Sequence, residues 1–114
     1  MALSILAEGP QENLIPPLTA YHVMKAGRVP LLPYRRPGDS ELAELVRPYV
    51  ETCHGVMLNR IGPTFWHKTL SEASAALEEA EETAKLVFLT RGHDPKPLTG
   101  DRITELQQAF PVKW

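Results

Sequence analysis

An α+β domain, with a small sheet flanked by helices, is the fold class this sequence predicts. Three observations point to it. Thr69 to Gly92 (TLSEASAALEEAEETAKLVFLTRG) carries one long helical signal. Two apolar runs, Val29–Pro33 and Gly55–Asn59, are too short for helices and are bounded by turn residues. Eleven prolines in 114 residues shorten every other element. A chain of this length makes one small domain.

In chain order, residues 2–7 have room for one or two helical turns. Glu8–Asn13 is a polar loop, and Pro16-Pro17 is a stiff extended step. Leu18–Lys25 alternates, with Tyr21 and Val23 on one side and His22 and Met24 on the other, which predicts a strand. Gly27 turns the chain into a second short strand, Val29–Pro33, whose prolines suit a sheet edge or end. Tyr34–Gly38 is a loop containing Arg35 and Arg36. Asp39 or Ser40 caps the next helix, with Leu42, Leu45, Val46, Tyr49 and Val50 on its buried face. Pro48 falls inside that pattern, so a kink or an early end is expected there.

Gly55–Asn59 and Thr64–Trp66 predict two further strands. The long helix follows, with Ala73, Ala76, Leu77, Ala80, Ala84 and Val87 on one face. Thr69 and Glu72 form a capping-box pattern, in which the hydroxyl takes the N3 amide and the carboxylate reaches back to the cap amide. Glu81 and Lys85 are spaced to pair. Arg91 suits the helix dipole, and Gly92 suits a left-handed terminus. Thr99 caps a last helix carrying Ile103, Leu106 and Phe110, which Pro111 ends.

Composition excludes several function classes. The formal charge is −2 with signs interspersed, and no basic run exceeds Arg35-Arg36, so a nucleic-acid partner is not expected. No apolar run approaches the ~20 residues of a membrane span, and MALSILAEGP lacks the charged start of a secretory signal. Cys53 is the sole cysteine, which fits a reducing cytoplasm. The four histidines, His22, His54, His67 and His93, show no metal-ligand spacing. Cys53 and His54 are neighbours and would face opposite ways along an extended chain.

The run HGVMLNRIGPTFWHKTLSEASAALEEAEETAKLVFL resembles the C-terminal half of the class II aldolase/adducin family. In that family a buried strand leads into an Asn-His-Gly or His-His-Gly turn, then a short strand and a long helix. Upstream, PPLTAYHVMKAGRVPLLPYRRPGDSELAELV is similar to the segment that follows the family's first metal-ligand pair, as found in the 3-oxo-tetronate 4-phosphate decarboxylase branch. The resemblance covers nearly the whole chain. It implies a single truncated aldolase-like domain over residues 1–114, half of the family's αβα sandwich, with a mainly antiparallel sheet.

The same resemblance implies lost metal chemistry. The family ligates a divalent cation through a His-x-His pair and a later histidine. Met1–Leu6 resembles the helix just after that pair. Aligned on Gly62-Pro63 and Trp66, the family's Asn-His-Gly becomes Arg60-Ile61-Gly62, and Ile61 has no lone pair to donate. No metal and no cofactor are therefore expected.

Several sugar-phosphate aldolases of the family place a tyrosine near Tyr21, where it reaches a neighbouring subunit's site as a proton donor. Tyr21 or His22 is thus the candidate for proton transfer. Arg60 is the candidate to hold a carboxylate or phosphate, or else a plug filling the empty metal position. Lys25, Arg35 and Arg36 add positive potential if they converge. The expectation is a metal-independent lyase, isomerase or cyclase acting on a small carboxylated or carbonyl substrate between subunits. The alternative is a non-catalytic interaction or regulatory module, pairing for example with an intact aldolase-family subunit. A homo-oligomer, dimer or tetramer, is expected in either case, because Val29–Leu32, Val56–Leu58 and the alanine face would be partly bare in a monomer.

Overall fold

The computed structural model describes all of residues 1–114. A 3-10 turn at Ala2–Ile5 precedes α1 (Ala20–Lys25), β1 (Leu31–Leu32), α2 (Glu41–Val46), β2 (Gly55–Leu58), β3 (Gly62–Phe65), α3 (Leu70–Leu89) and α4 (Gly100–Ala109). The α+β class is observed, but the sheet is mixed. In the order β1-β2-β3, β1 runs parallel to β2 and β2 antiparallel to β3. The hairpin pairs Leu58 with Gly62 at its turn and Gly55 with Phe65 at its open end.

The strand expected at Leu18–Lys25 is instead the helix α1. Alternation would put His22 and Val23 on opposite faces, yet both are fully buried. Local capping selects the helix: Thr19 is extended and its Oγ1 accepts the amide of His22 at 3.1 Å. The helix stops at Gly27, where φ is +70° and the amides of Ala26 and Gly27 both reach the His22 carbonyl. A Cβ at Gly27 would lie 2.2 Å from the Lys113 carbonyl oxygen, so glycine also allows the C-terminal tail to dock there.

The edge strand is covered by its own chain. Gln11 bridges Leu31 in an antiparallel sense, Leu14 donates to the Val29 carbonyl, and Asn13 Oδ1 accepts from the Val29 amide. Val29, Leu31, Leu32, Val56 and Met57 are all buried, which corrects the expectation that these strands stand bare. The loop before α1 covers the free edge of β1, and β2 is central between β1 and β3. The core joins Leu3, Ile15, Ala26, Val29, Leu31, Met57 and Ala80, with Phe65, Ala84 and Val87 packed against it.

On the inner face of the long helix Ala76 and Ala80 are buried as the pattern predicts, Ala73, Leu77, Ala84 and Val87 are half-buried, and Thr83, outside the pattern, is buried. Small side chains there let α1 and β3 approach closely. Its cap is half of a capping box. Thr69 Oγ1 accepts the Glu72 amide at 3.2 Å, but the Glu72 carboxylate takes the Thr69 hydroxyl and His67 Nδ1 instead of the cap amide. Lys85 pairs with Glu82 at 2.5 Å, not Glu81. α2 ends at Val46, and the chain tightens into a 3-10 turn over Arg47–Tyr49 at Pro48. No residue of α2 is buried, so its apolar stripe is less covered than its periodicity predicts.

Candidate functional site

The turn of the β2–β3 hairpin displays Arg60 and Ile61 between Leu58 and Gly62. Arg60 adopts a left-handed backbone with φ +59°, unusual for a side chain of its size. The amide of Ile61 closes the turn on the Leu58 carbonyl at 3.0 Å, and the Arg60 amide reaches the Ser4 carbonyl at 3.3 Å. Its guanidinium donates to Asn59 Oδ1 and to Glu8 Oε1, each at 2.6 Å. Asn59 is buried, whereas the Glu8 side chain is 89% exposed. Arg60 therefore has one fixed internal partner and one surface partner that another anion could replace at little cost.

This turn does not fit a divalent cation. It offers a guanidinium and a hydrocarbon, and no three His, Cys, Asp or Glu side chains of the chain converge on a point.

The two proton-transfer candidates lie on α1 and differ sharply. Tyr21 is 62% exposed, with the Lys25 ammonium 5.4 Å from its ring. His22 is fully buried, its two ring nitrogens have no hydrogen-bond partner, and Trp114 meets it edge-on at 6.4 Å. Burial pushes its pKa down to about 4, so it is a neutral core group near pH 7. The positive residues do not converge. Arg60 is at the hairpin turn, Arg35 pairs with Glu41 at 3.0 Å in the loop before α2, and Arg36 is exposed nearby. Only Lys25 of the four borders the large cavity at the other end of the hairpin.

That cavity, about 660 Å³, lies among α1, the open end of the hairpin, the start of α3 and the C-terminal tail. Its polar lining is Lys25, His54, His67, Lys68, Glu72 and Lys113. Trp66 fixes the hairpin end by donating Nε1 to the Cys53 carbonyl at 2.9 Å and its amide to the His54 carbonyl at 2.8 Å. The register thereby stacks the His54 and His67 rings, 4.4 Å apart and 12° from parallel. His67 Nδ1 lies 3.0 Å from Glu72 Oε2. Burial pushes the His54 pKa down to about 4, and the charges of His67 and Lys113 push it the same way. The Thr69 hydroxyl, ahead of His67, holds the Glu72 carboxyl below its usual range. Burial raises the Cys53 thiol. Sequence reasoning missed this grouping because strand pairing, not spacing, brings positions 54 and 67 together.

Comparison with known proteins agrees with the fold. Residues 1–88 match the class II aldolase and adducin N-terminal domain. The chain is 41% identical, over all of its length, to 54% of a 3-oxo-tetronate 4-phosphate decarboxylase from Cupriavidus necator. It is 40% identical, over 93% of its length, to 50% of one from Escherichia coli. The crystal structure of YgbL from Escherichia coli superposes with a TM-score of 0.87 at 40% identity, covering 93% of this chain and 51% of that one. YgbL from Klebsiella pneumoniae gives 0.86 at 38% identity, over 92% and 51%. The chain thus spans about half the length of the relatives it matches. On the strength of this match over most of its length, the chain belongs to the class II aldolase and adducin family.

Proposed function

We propose that this chain contributes to a lyase that acts on a small carboxylated carbonyl substrate, without a metal ligated by its own residues. The observation that carries the reading is Arg60: a guanidinium held in a left-handed turn, with one buried partner and one exchangeable one, in a chain 41% identical to a decarboxylase of a 3-oxo acid phosphate. A bidentate guanidinium is well shaped for a carboxylate or phosphate. Displacing the exposed Glu8 carboxylate would cost little, and Asn59 would keep the guanidinium aimed. Non-glycine residues in left-handed conformations cluster at functional sites.

Breaking a carbon–carbon bond next to a carbonyl leaves an electron pair that spreads onto oxygen as an enolate. A proton must then reach carbon or oxygen. In this reading it comes from the exposed Tyr21 of a second copy, in a cleft between subunits. His22 is left out because burial denies it contact with substrate. Lys25, Arg35 and Arg36 act as positive charge that draws the anion in, not as direct ligands. The setting is a reducing cytoplasm, and no cofactor is required.

The test is CO2 release from 3-oxo-tetronate 4-phosphate by the purified chain, with and without a chelator. Turnover should survive chelation and fall at least ~100-fold in both Arg60→Gly and Tyr21→Phe, the loss expected of a group that acts in the transition state. Unchanged rates in both variants would remove the assignment. The second reading, a non-catalytic module pairing with an intact aldolase-family subunit, is favoured by the fact that Asn59 and Glu8 already occupy the guanidinium. Absence of turnover together with co-purification of such a subunit would select it.

A further inference from the structure

The large cavity lies at the far end of the hairpin from Arg60. Three residue steps separate the Leu58–Gly62 pair from the Gly55–Phe65 pair, roughly 10 Å along the strands. The two places are distinct, and Lys25 is the one residue used in both, as steering charge for the lyase reading and as a direct ligand in the cavity.

Three lysines border this cavity: Lys25 from α1, whose ammonium lies 5.4 Å from the Tyr21 ring, Lys68 before α3 and Lys113 from the tail. No carboxylate pairs with any of them; Lys113 Nζ reaches only the Cys53 carbonyl, at 3.5 Å. The one carboxylate in the lining, Glu72, is taken up by His67 and Thr69. His54 is only 8% exposed, and its Nδ1 has no partner in the protein. A buried imidazole with an unmet nitrogen is costly unless something completes it. The start of the 20-residue α3 adds the positive end of its dipole. Apolar walls come from Met24, Trp66, Ala75 and Ala76, and the volume is that of a small-metabolite pocket.

We propose that this cavity is a binding site for a small organic dianion, a phosphate monoester or a dicarboxylate, held by Lys25, Lys68 and Lys113 with the His54–His67 stack as its floor. The lysines supply charge-assisted donors, and His54 Nδ1, in the tautomer that carries its proton there, supplies one more. The apolar wall takes the carbon skeleton.

The probes are inorganic phosphate and malonate, titrated into the full chain while the imidazole resonances of His54 and His67 are followed by NMR. Saturable shifts at millimolar phosphate are expected. They should weaken about tenfold in Lys68→Gln and again in Lys25→Gln, the loss typical of one charge-assisted hydrogen bond. Both lysines lie outside the docked tail, so neither variant disturbs it. Glu72→Gln should tighten binding by removing the only opposing charge in the lining. Binding of both probes supports a general dianion site, and binding of phosphate alone supports the phosphate-ester form. Overturning results are no saturable shift with either probe, or equal binding by wild type and both lysine variants.

Discussion

The imidazoles of His54 and His67 stack face to face at 4.4 Å although thirteen positions separate them in sequence. Two like groups this close cannot both be charged cheaply, and His54 is buried besides. Together with the buried His22, this gives the fold two histidines whose pKa values are pushed down to about 4. The unfolded chain protonates them near 6.5. As pH falls below that value the unfolded state takes up protons that the folded state refuses, so stability drops between about pH 6.5 and 4. The slope reaches about 1.4 kcal/mol per pH unit for each histidine. Above about pH 7 the two groups contribute no slope. Urea midpoints measured from about pH 7.5 to about pH 4.5, a range spanning most of that window, should show this fall. His22→Phe should remove up to half of it. A flat profile would contradict the burial assigned to both rings.

Gly27→Ala should cost about 1–3 kcal/mol through overpacking and backbone strain. Its Cβ would meet the Lys113 carbonyl oxygen at 2.2 Å, at φ +70°. The tail should lift away, taking Trp114 from its contacts with His22 and Arg28. A red shift in Trp114 emission, measured in a Trp66→Phe background, checks it.

Arg60→Gly should change stability by less than about 1 kcal/mol. Relief of the left-handed strain, about 1–2 kcal/mol, offsets the lost hydrogen bond to buried Asn59. Arg60→Val cannot relax that way and should cost about 2–3 kcal/mol. Equal midpoints for the two variants would show that the turn is not strained.

Chelator should leave the melting temperature unchanged, and metal analysis of the purified chain should find less than one equivalent of zinc, manganese or iron. A bound metal needs several deprotonated ligands held together, and the donor set of this chain does not assemble them. One tightly bound equivalent would sink this and point to the histidine stack.

Light scattering at micromolar concentration should report a multiple of 12.7 kDa. The bare surface is not the one its strands suggest. Its exposed large apolar side chains are Met1, Ile5 and Leu6 near the start, Tyr21, Tyr34 and Val50, Leu70, Phe88 and Leu89 on α3, and Phe110. Where such side chains gather into one contiguous patch, they mark contacts between chains. A monomer would leave Tyr21 without a second subunit to serve.

The sequence by itself determined the elements whose signals are local. Thr69 capping α3, the alanine face of that helix, Pro48 ending α2 and the apolar run of β2 each act within a few residues, and each appears where the pattern places it. The family, too, was legible, because the order of strand, turn and helix is kept from Gly55 to Leu89. Only the tertiary structure decided the rest. Whether Leu18–Lys25 became strand or helix depended on the Thr19 cap and on Val23 and Ala26 being buried, which a two-residue alternation cannot foresee. The sheet edge was closed by Gln11 and Asn13, and Asn13 stands 16 positions from the Val29 amide it holds, beyond the reach of any periodicity. The His54–His67 stack and its three lysines exist because hairpin register, helix start and tail docking meet at one place. Those are long-range coincidences of backbone geometry, and no spacing in the chain encodes them.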